Sequence, residues 1–253
     1  MTSSEQQFGA HAEKYAASKV HRSGPSLGAL LELAAPHPGD LALDVATGTG
    51  HTALALAPHV ARVTGLDLSE AMLAHARQRA GAEETANATF QAGDAEALPF
   101  ADSHFTLLTS RHAPHHFRRL DRFLAEAFRV LRPGGRLVIA DQISPRADLQ
   151  PWIDTYQRLR DPSHFAQRPV AAWRELAAVA GFRWAQDTLV PYRLEFGWWV
   201  AQSGCTPEMV RALRDHAARL APEDRDAVGL HLSEAGELMA HTEMMLVVRL
   251  EKA

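Results

Sequence analysis

Three carboxylates and two glycines fall where a chain can hold a small polar molecule. Asp44 ends the apolar run Leu41-Ala42-Leu43 and opens the loop Val45-Ala46-Thr47-Gly48-Thr49-Gly50, after which helix formers run from Ala53 to Ala57. A buried parallel strand, a tight turn and the first turn of a helix read this way in sequence. Glycine at 48 and 50 permits backbone conformations that other residues avoid and lets a ligand approach the chain closely. The helix that starts there offers unpaired N–H groups. Asp67 closes a second strand-like run, Arg62-Val63-Thr64-Gly65-Leu66, and Asp94 follows Gly93 after a third.

The loose pattern Gly48-x-Gly50-x-x-Ala53, with Asp67 further on, is also that of a dinucleotide site. Asp44 argues against one, because a pyrophosphate laid over the loop would meet a carboxylate. At roughly 4 Å and an effective dielectric of about 20 that interaction is worth about 4 kcal/mol in either direction. The same carboxylate favours a ligand with positive charge at this point. S-adenosylmethionine, which carries a sulfonium and an ammonium beside a nucleoside, is such a ligand. A plain loop-capping role is the other reading of Asp44.

The stretch Asp44-Val45-Ala46-Thr47-Gly48-Thr49-Gly50 resembles motif I, D-x-G-x-G-x-G, of the class I S-adenosylmethionine-dependent methyltransferases. Val63-Thr64-Gly65-Leu66-Asp67-Leu68-Ser69, Gly93-Asp94-Ala95-Glu96-Ala97-Leu98-Pro99-Phe100 and Leu131-Arg132-Pro133-Gly134-Gly135-Arg136-Leu137 follow in the family's order. Together they are similar to the ubiquinone/menaquinone-biosynthesis-type branch, over about residues 8–185. Ala46 departs from the pattern, where the family has glycine; alanine is small enough unless the position needs a positive φ. The resemblance implies S-adenosyl-L-methionine as cofactor. Asp67 would take both ribose hydroxyls in charge-assisted bonds, while the Leu68 backbone and the Met72 side chain wall the adenine. Asp94 and the Ala95 N–H resemble the adenine readers, an Asx-turn being the other reading of Asp94. Ala46, Thr47 and Gly48 would contact the methionine end through their backbone, with Arg111 pairing its carboxylate. Tyr15 and His21, on an N-terminal arm, either close over this end or are ordinary surface residues.

Methyl transfer from a sulfonium asks mainly for in-line positioning, which can supply roughly 7–11 kcal/mol. A base is needed only where the acceptor loses a proton. Ser110-Arg111-His112-Ala113-Pro114-His115-His116-Phe117 follows the fourth strand, and its histidines include candidates for that base, His112 and His116. The alternative is that His115-His116-Phe117 packs the turn into the next helix. No carboxylate or cysteine accompanies the three histidines at ligand spacing, so no metal is expected. On the substrate side stand His115, Gln142 at the end of the fifth strand, and Arg160 and His164, which face either substrate or solvent.

The elements that must position these residues alternate. Strands are expected at 40–45, 61–67, 88–92, 104–109 and 136–141, with helices between them at about 53–58, 70–80 (closed by Gly81) and 119–131. This rhythm implies right-handed crossovers and a doubly wound, Rossmann-like sheet. Prolines 145, 151, 162 and 169 surround a helical piece from Leu149 to Arg160, more than a crossover needs, and read as a lid. A helix at 170–180, a strand at 182–194, a helix opened by Thr206-Pro207-Glu208 and a last strand at 244–250 follow. The expected fold is a seven-stranded, mostly parallel α/β sheet with one antiparallel C-terminal strand and helical lid insertions.

The 253 residues, 46% hydrophobic and 22% charged, suit a single domain: an arm at 1–38, a cofactor core at 39–142 and a lid and substrate side at 143–253. A net charge of −4 gives no basic footprint for nucleic acid. One cysteine, Cys205, fits a reducing compartment. The polar N-terminus and the lack of a long apolar run point to a cytoplasmic protein without membrane insertion. The expected function is methyl transfer to a carbon or oxygen atom of a quinone-like or aromatic small molecule, with the oligomeric state open. The competing readings are a S-adenosylmethionine-binding module without transfer and an NAD-dependent oxidoreductase; the latter lacks a Tyr-x-x-x-Lys motif.

Overall fold

Five runs of apolar residues lie side by side in parallel: β1 (Leu41–Val45), β2 (Arg62–Asp67), β3 (Ala88–Ala92), β4 (Phe105–Arg111) and β5 (Leu131–Ile143). The computed structural model describes residues 24–253, so Tyr15 and His21 lie outside the described residues. β6 (Arg183–Glu195), a short β7 (Leu230–Leu232) and β8 (Leu238–Glu251) complete the sheet. The strand order is β3-β2-β1-β4-β5-β8-β6, with β7 pairing only β8, and β8 runs antiparallel to β5, β6 and β7. After β1 the chain winds outward to β3, then returns to place β4 on the other side of β1. The crevice beyond the carboxyl ends of β1 and β4 is where such sheets bind ligands.

Alternation along the strands fills two layers, because successive side chains point to opposite faces. Leu107, Val138 and Val247 join one core with Leu30 and Leu33 of α1 (Pro25–Ala34), Leu56 of α2 (His51–Leu56), Ile153 and Tyr156 of α5 (Gln150–Arg160), Trp199 of α7 (Phe196–Gln202) and Leu213 of α8 (Pro207–Ala218). Leu108, Ile139 and Val248 join the other with Phe123 and Leu124 of α4 (Leu120–Val130) and Trp173 of α6 (Val170–Val179). α3 (Glu70–Ala82) packs over β2 and β3, and its N-terminus is capped by Ser69, whose Oγ accepts from Met72 N at 3.4 Å. Thr206 caps α8 in the same way, accepting from Met209 N at 3.3 Å.

The differences from expectation have local causes. Gly81 stays inside α3, which runs to Ala82; the left-handed residue is Glu84 at φ 50°. Phe196–Gln202, to which the sequence assigned no element, forms α7, with Phe196 and Trp199 buried in the core. α5, within the expected lid, is no free flap: its Ile153 and Tyr156 belong to the core, and it packs along α8. The short α9 (Pro222–Arg225) and β7 had no signal in the sequence. Among the described residues, no helix is long and apolar enough to cross a membrane.

Candidate active site

The β1–α2 loop is shaped by three successive departures from ordinary backbone. Ala46, Gly48 and Gly50 all take positive φ, at 55°, 54° and 83°. For Gly48 nothing stands within 4 Å of where a Cβ would point, so the loop leaves open space there. For Gly50 a Cβ would meet Ala76 at 3.0 Å and the Phe90 ring at 3.2 Å, so only glycine fits as α2 begins. Ala46 occupies a left-handed conformation at the position where the motif it resembles has glycine, at a cost of about 1–2 kcal/mol.

Asp44 is buried at the end of β1, and its two oxygens accept from Thr47 Oγ1 and Thr109 Oγ1, each at 2.7 Å. Burial pushes its pKa up to about 6, against the pull of those hydroxyls and of the Arg111 guanidinium. Asp67 accepts from Gly48 N at 2.8 Å and Ser69 N at 2.9 Å, which ties the glycine loop to the end of β2. Burial raises its pKa too, despite these amides. Asp94 accepts from Glu96 N at 2.8 Å, so the Asx-turn is present and the residue faces the same cavity as well. Each carboxylate oxygen in these contacts retains a second lone pair for a ligand.

These groups surround a cavity of about 400 Å³. Asp44, Ala46, Thr47, Gly48, Asp67, Leu68, Met72, Asp94, Ala95 and Arg111 all line it, as do His112, His116 and His164. Leu68 is half exposed at the rim. Arg111 donates through Nε to Thr52 Oγ1 at 3.1 Å and through Nη1 to Ser26 Oγ at 3.4 Å. The carboxylate of Asp44 therefore does not act alone: with Arg111 it makes a dipolar pair in one cleft, suited to the ammonium and carboxylate of an amino-acid head group. Four lining carboxylates, from Asp44, Asp67, Asp94 and Glu96, still outnumber the guanidinium groups of Arg111 and Arg118. The residues present fit S-adenosylmethionine in charge and in size.

Several expected site residues do not reach this cavity. Gly50 sits behind the loop as the left-handed start of α2. His115 is buried behind His116, its Nδ1 at 2.7 Å from Asp141 Oδ1 and its ring 4.1 Å from that of His116. Gln142 is buried on β5 with its Nε2 unpartnered. Arg160 turns away, stacking over Trp199 at 4.6 Å and donating to Ser203 Oγ at 3.0 Å. Conversely, Ser26, Thr52, Phe117, Ser163 and Phe165 complete the site and its support without any motif to announce them; they come from four separate segments. His112 takes φ 54°, a strained value of the kind found at functional sites, and its Nε2 lies 3.4 Å from Ser26 Oγ.

Burial, together with the neighbouring His115 and His164, pushes His116 down to about 3; its Nδ1 lies 3.2 Å from Ser163 Oγ. Burial pushes His115 down to about 3 and Asp141 up to about 7. The imidazoles are thus neutral near pH 7, beside a carboxyl group poised to hold or release a proton. His164 is oriented by Asp154, at 2.8 Å from Nε2 to Oδ1. Among the described residues no group of three or more His, Cys, Asp or Glu side chains is placed to hold a metal ion.

Comparison with known proteins agrees with this geometry. A family profile described as "Methyltransferase domain" matches residues 43–139, which span β1 to β5. The chain is 29% identical to the uncharacterized methyltransferase YcgJ of Bacillus subtilis over 91% of both chains, and the crystal structure of YcgJ superposes with a TM-score of 0.86 over 90% of this chain and 98% of that one. It is 35% identical to the uncharacterized protein YafE of Escherichia coli over 70% of this chain and 86% of YafE. The ubiquinone/menaquinone biosynthesis C-methyltransferase UbiE of Dinoroseobacter shibae matches at 44% identity, but over 51% of this chain and 53% of UbiE. An NAD-dependent oxidoreductase is thereby set aside. Fold, motif order and relatives converge, and the chain belongs to the class I S-adenosylmethionine-dependent methyltransferases.

Proposed function

We propose that this methyltransferase acts on a small-molecule acceptor, at a carbon or oxygen atom of a quinone-like or aromatic compound, as the ubiquinone/menaquinone-type branch suggests. The observation that carries the proposal is the composition of the cavity beyond Arg111. There His112, His116, Phe117, Ser163, His164 and Phe165 join proton-accepting imidazoles to aromatic faces. Bound S-adenosylmethionine supplies an activated methyl group. Asp67 holds the ribose, Asp94 and the Ala95 N–H read the adenine, and Leu68 and Met72 wall it. Asp44 receives the ammonium and Arg111 the carboxylate, while Ala46, Thr47 and Gly48 offer backbone groups. Tyr15 and His21, outside the described residues, are proposed to contact the methionine end.

His116 is the proposed general base, with His112 the second candidate. A neutral imidazole is needed to accept a phenolic or enolic proton, and burial beside His115 holds His116 neutral near pH 7. Asp141 and His115 act behind it as positioning residues, and Asp154 does the same for His164. The protein is proposed to work in the cytoplasm as a single domain, on a substrate other than nucleic acid. Turnover of S-adenosylmethionine with a labelled methyl group across a panel of phenols and quinols tests this reading. Label on at least one ring carbon or oxygen is the expected result; label confined to amines or to macromolecules contradicts it.

A further inference from the structure

One loop beside the methyl-donor cleft carries more polar bonds than its shape requires. The chain leaving α5 runs through Asp161, Pro162, Ser163, His164 and Phe165, and the last four line the cavity, as His116 does. This loop is pinned to the short turn Pro114–His116: the amides of Phe165 and Ala166 both donate to the His115 carbonyl at 3.0 Å. The pinning holds Ser163 against His116, with Oγ 3.2 Å from Nδ1. On its other side the same hydroxyl lies 2.6 Å from Oδ1 of buried Asp161, an oxygen that also accepts from the Ser163 amide at 2.9 Å. The amide bond closes the turn without the hydroxyl, so the turn does not explain the contact with His116.

Counting protons fixes the direction of these bonds. Ser163 has one hydroxyl hydrogen and two neighbours for it. The 2.6 Å separation is that of an O–H donating to a carboxylate, and 3.2 Å suits a neutral N–H donor. Burial alone would raise the Asp161 pKa, but His116, Arg160 and the Ser163 bonds outweigh it and hold the carboxyl below its ordinary value. Ionised, Asp161 can only accept. The hydrogen therefore points to Asp161, and Ser163 Oγ accepts from His116 Nδ1–H. A neutral imidazole carries a single ring N–H, so its basic lone pair is at Nε2.

We infer that Ser163 and Asp161 are positioning residues for methyl transfer: they hold His116 in the Nδ1–H tautomer and so make Nε2 the atom that takes the acceptor's proton. The inference rests on the reading of His116 as general base and names its reactive atom and what holds it. In that step the proton leaves an acceptor hydroxyl for Nε2, the O–H electron pair stays with the acceptor for attack on the methyl group, and water later removes the proton from the ring. While His116 is charged, Nδ1–H, the Ser163 hydroxyl and the Asp161 carboxylate form one chain, and the anion stabilises the imidazolium through the serine. His115 and His164, whose rings lie 4.1 and 6.4 Å from that of His116, act against the charge, whereas Asp161 and Ser163 favour it. Without the chain the ring would be a still weaker base and free to present either nitrogen.

The test labels the histidines of the full chain with nitrogen-15 and reads the His116 ring nitrogens by NMR at neutral pH, the His116→Asn spectrum assigning the signals. The expected result is a pyrrole-type shift at Nδ1 and a pyridine-type shift at Nε2. In Ser163→Ala the two tautomers mix, whereas Ser163→Thr, which keeps the hydroxyl, retains the wild-type shifts. Labelled methyl transfer to the panel of phenols and quinols is the second readout: kcat falls about tenfold to 100-fold in Ser163→Ala, KM stays within about twofold, and Ser163→Thr restores kcat. A pyridine-type Nδ1 in the wild type overturns the inference, as do unaltered shifts or an unaltered kcat in Ser163→Ala. So does a loss of activity shared by both variants and matched by a lower melting temperature, which marks a structural role. Label on no aromatic ring, with the shifts as expected, overturns the acceptor reading and the base with it, while the tautomer assignment stands.

Discussion

The two halves of the cleft are built on different principles. On the cofactor side each carboxylate has one partner close by in the chain, Thr47 for Asp44, Ser69 for Asp67 and Glu96 for Asp94, to which Thr109 and Gly48 add longer-range bonds for the first two. On the proposed acceptor side the pairs are long-range: His115 with Asp141 and His116 with Ser163. Backbone-centred recognition of a constant molecule needs a loop of particular shape, and such a loop is a local property of sequence. Recognition of a variable acceptor uses side chains from whichever segments the fold brings together.

The largest expected effect breaks the cofactor half alone. Asp67→Ala would remove the two proposed charge-assisted bonds to ribose and untie Gly48, so S-adenosylhomocysteine affinity should fall about 100-fold or more by calorimetry. Near wild-type affinity would contradict the ribose assignment. His116→Asn should break the other half, lowering turnover about 10²- to 10³-fold for an acceptor that must lose a proton, with cofactor affinity unchanged. A matching loss of affinity would place His116 in the cofactor half instead.

A third prediction concerns pH. The folded-state pKa of Asp44, about 6, lies above its ordinary value of 3.8. The folded chain therefore binds this proton more readily than the unfolded one, and the contribution of Asp44 to stability declines as pH rises from about 4 to about 6. Cofactor binding runs the other way, because the ammonium needs the ionised carboxylate. Affinity should weaken as pH falls through about 6, approaching tenfold per unit below it. A flat profile between pH 5 and 8 would contradict the role of Asp44. The smallest effect sharpens the picture of the loop: Ala46→Gly relieves a left-handed alanine and should stabilise the fold by about 1 kcal/mol, seen as a melting temperature a few degrees higher.

How far the sequence could be read follows the same division. The strand ends at Val45 and Asp67 and the glycine loop are written within windows of a few residues, and they stand where expected. The positive φ of Ala46 could be posed as a question from the motif but needed coordinates for an answer. His115, Gln142 and Arg160 carry suitable side chains at suitable strand and helix ends, yet they point into the interior, because their partners Asp141, the β8 side chains and Trp199 are distant in sequence. Ser26 was invisible for the same reason: only the packing of α1 under Arg111 and His112 brings its hydroxyl to the cleft. The aromatic helix Phe196–Gln202 was hidden by residue types that suit strands equally well.

The electrostatic reading of the cleft has one most direct test: titration of S-adenosylmethionine into wild type and Asp44→Asn at pH 7.5, by isothermal calorimetry. Substitution should leave the fold intact, since one threonine hydroxyl can still donate to the amide oxygen while the other turns to accept from the amide NH2, and should weaken binding about tenfold or more through loss of the charge facing the ligand's cations. Equal affinity for the two proteins would contradict the claim that Asp44 selects a cationic guest.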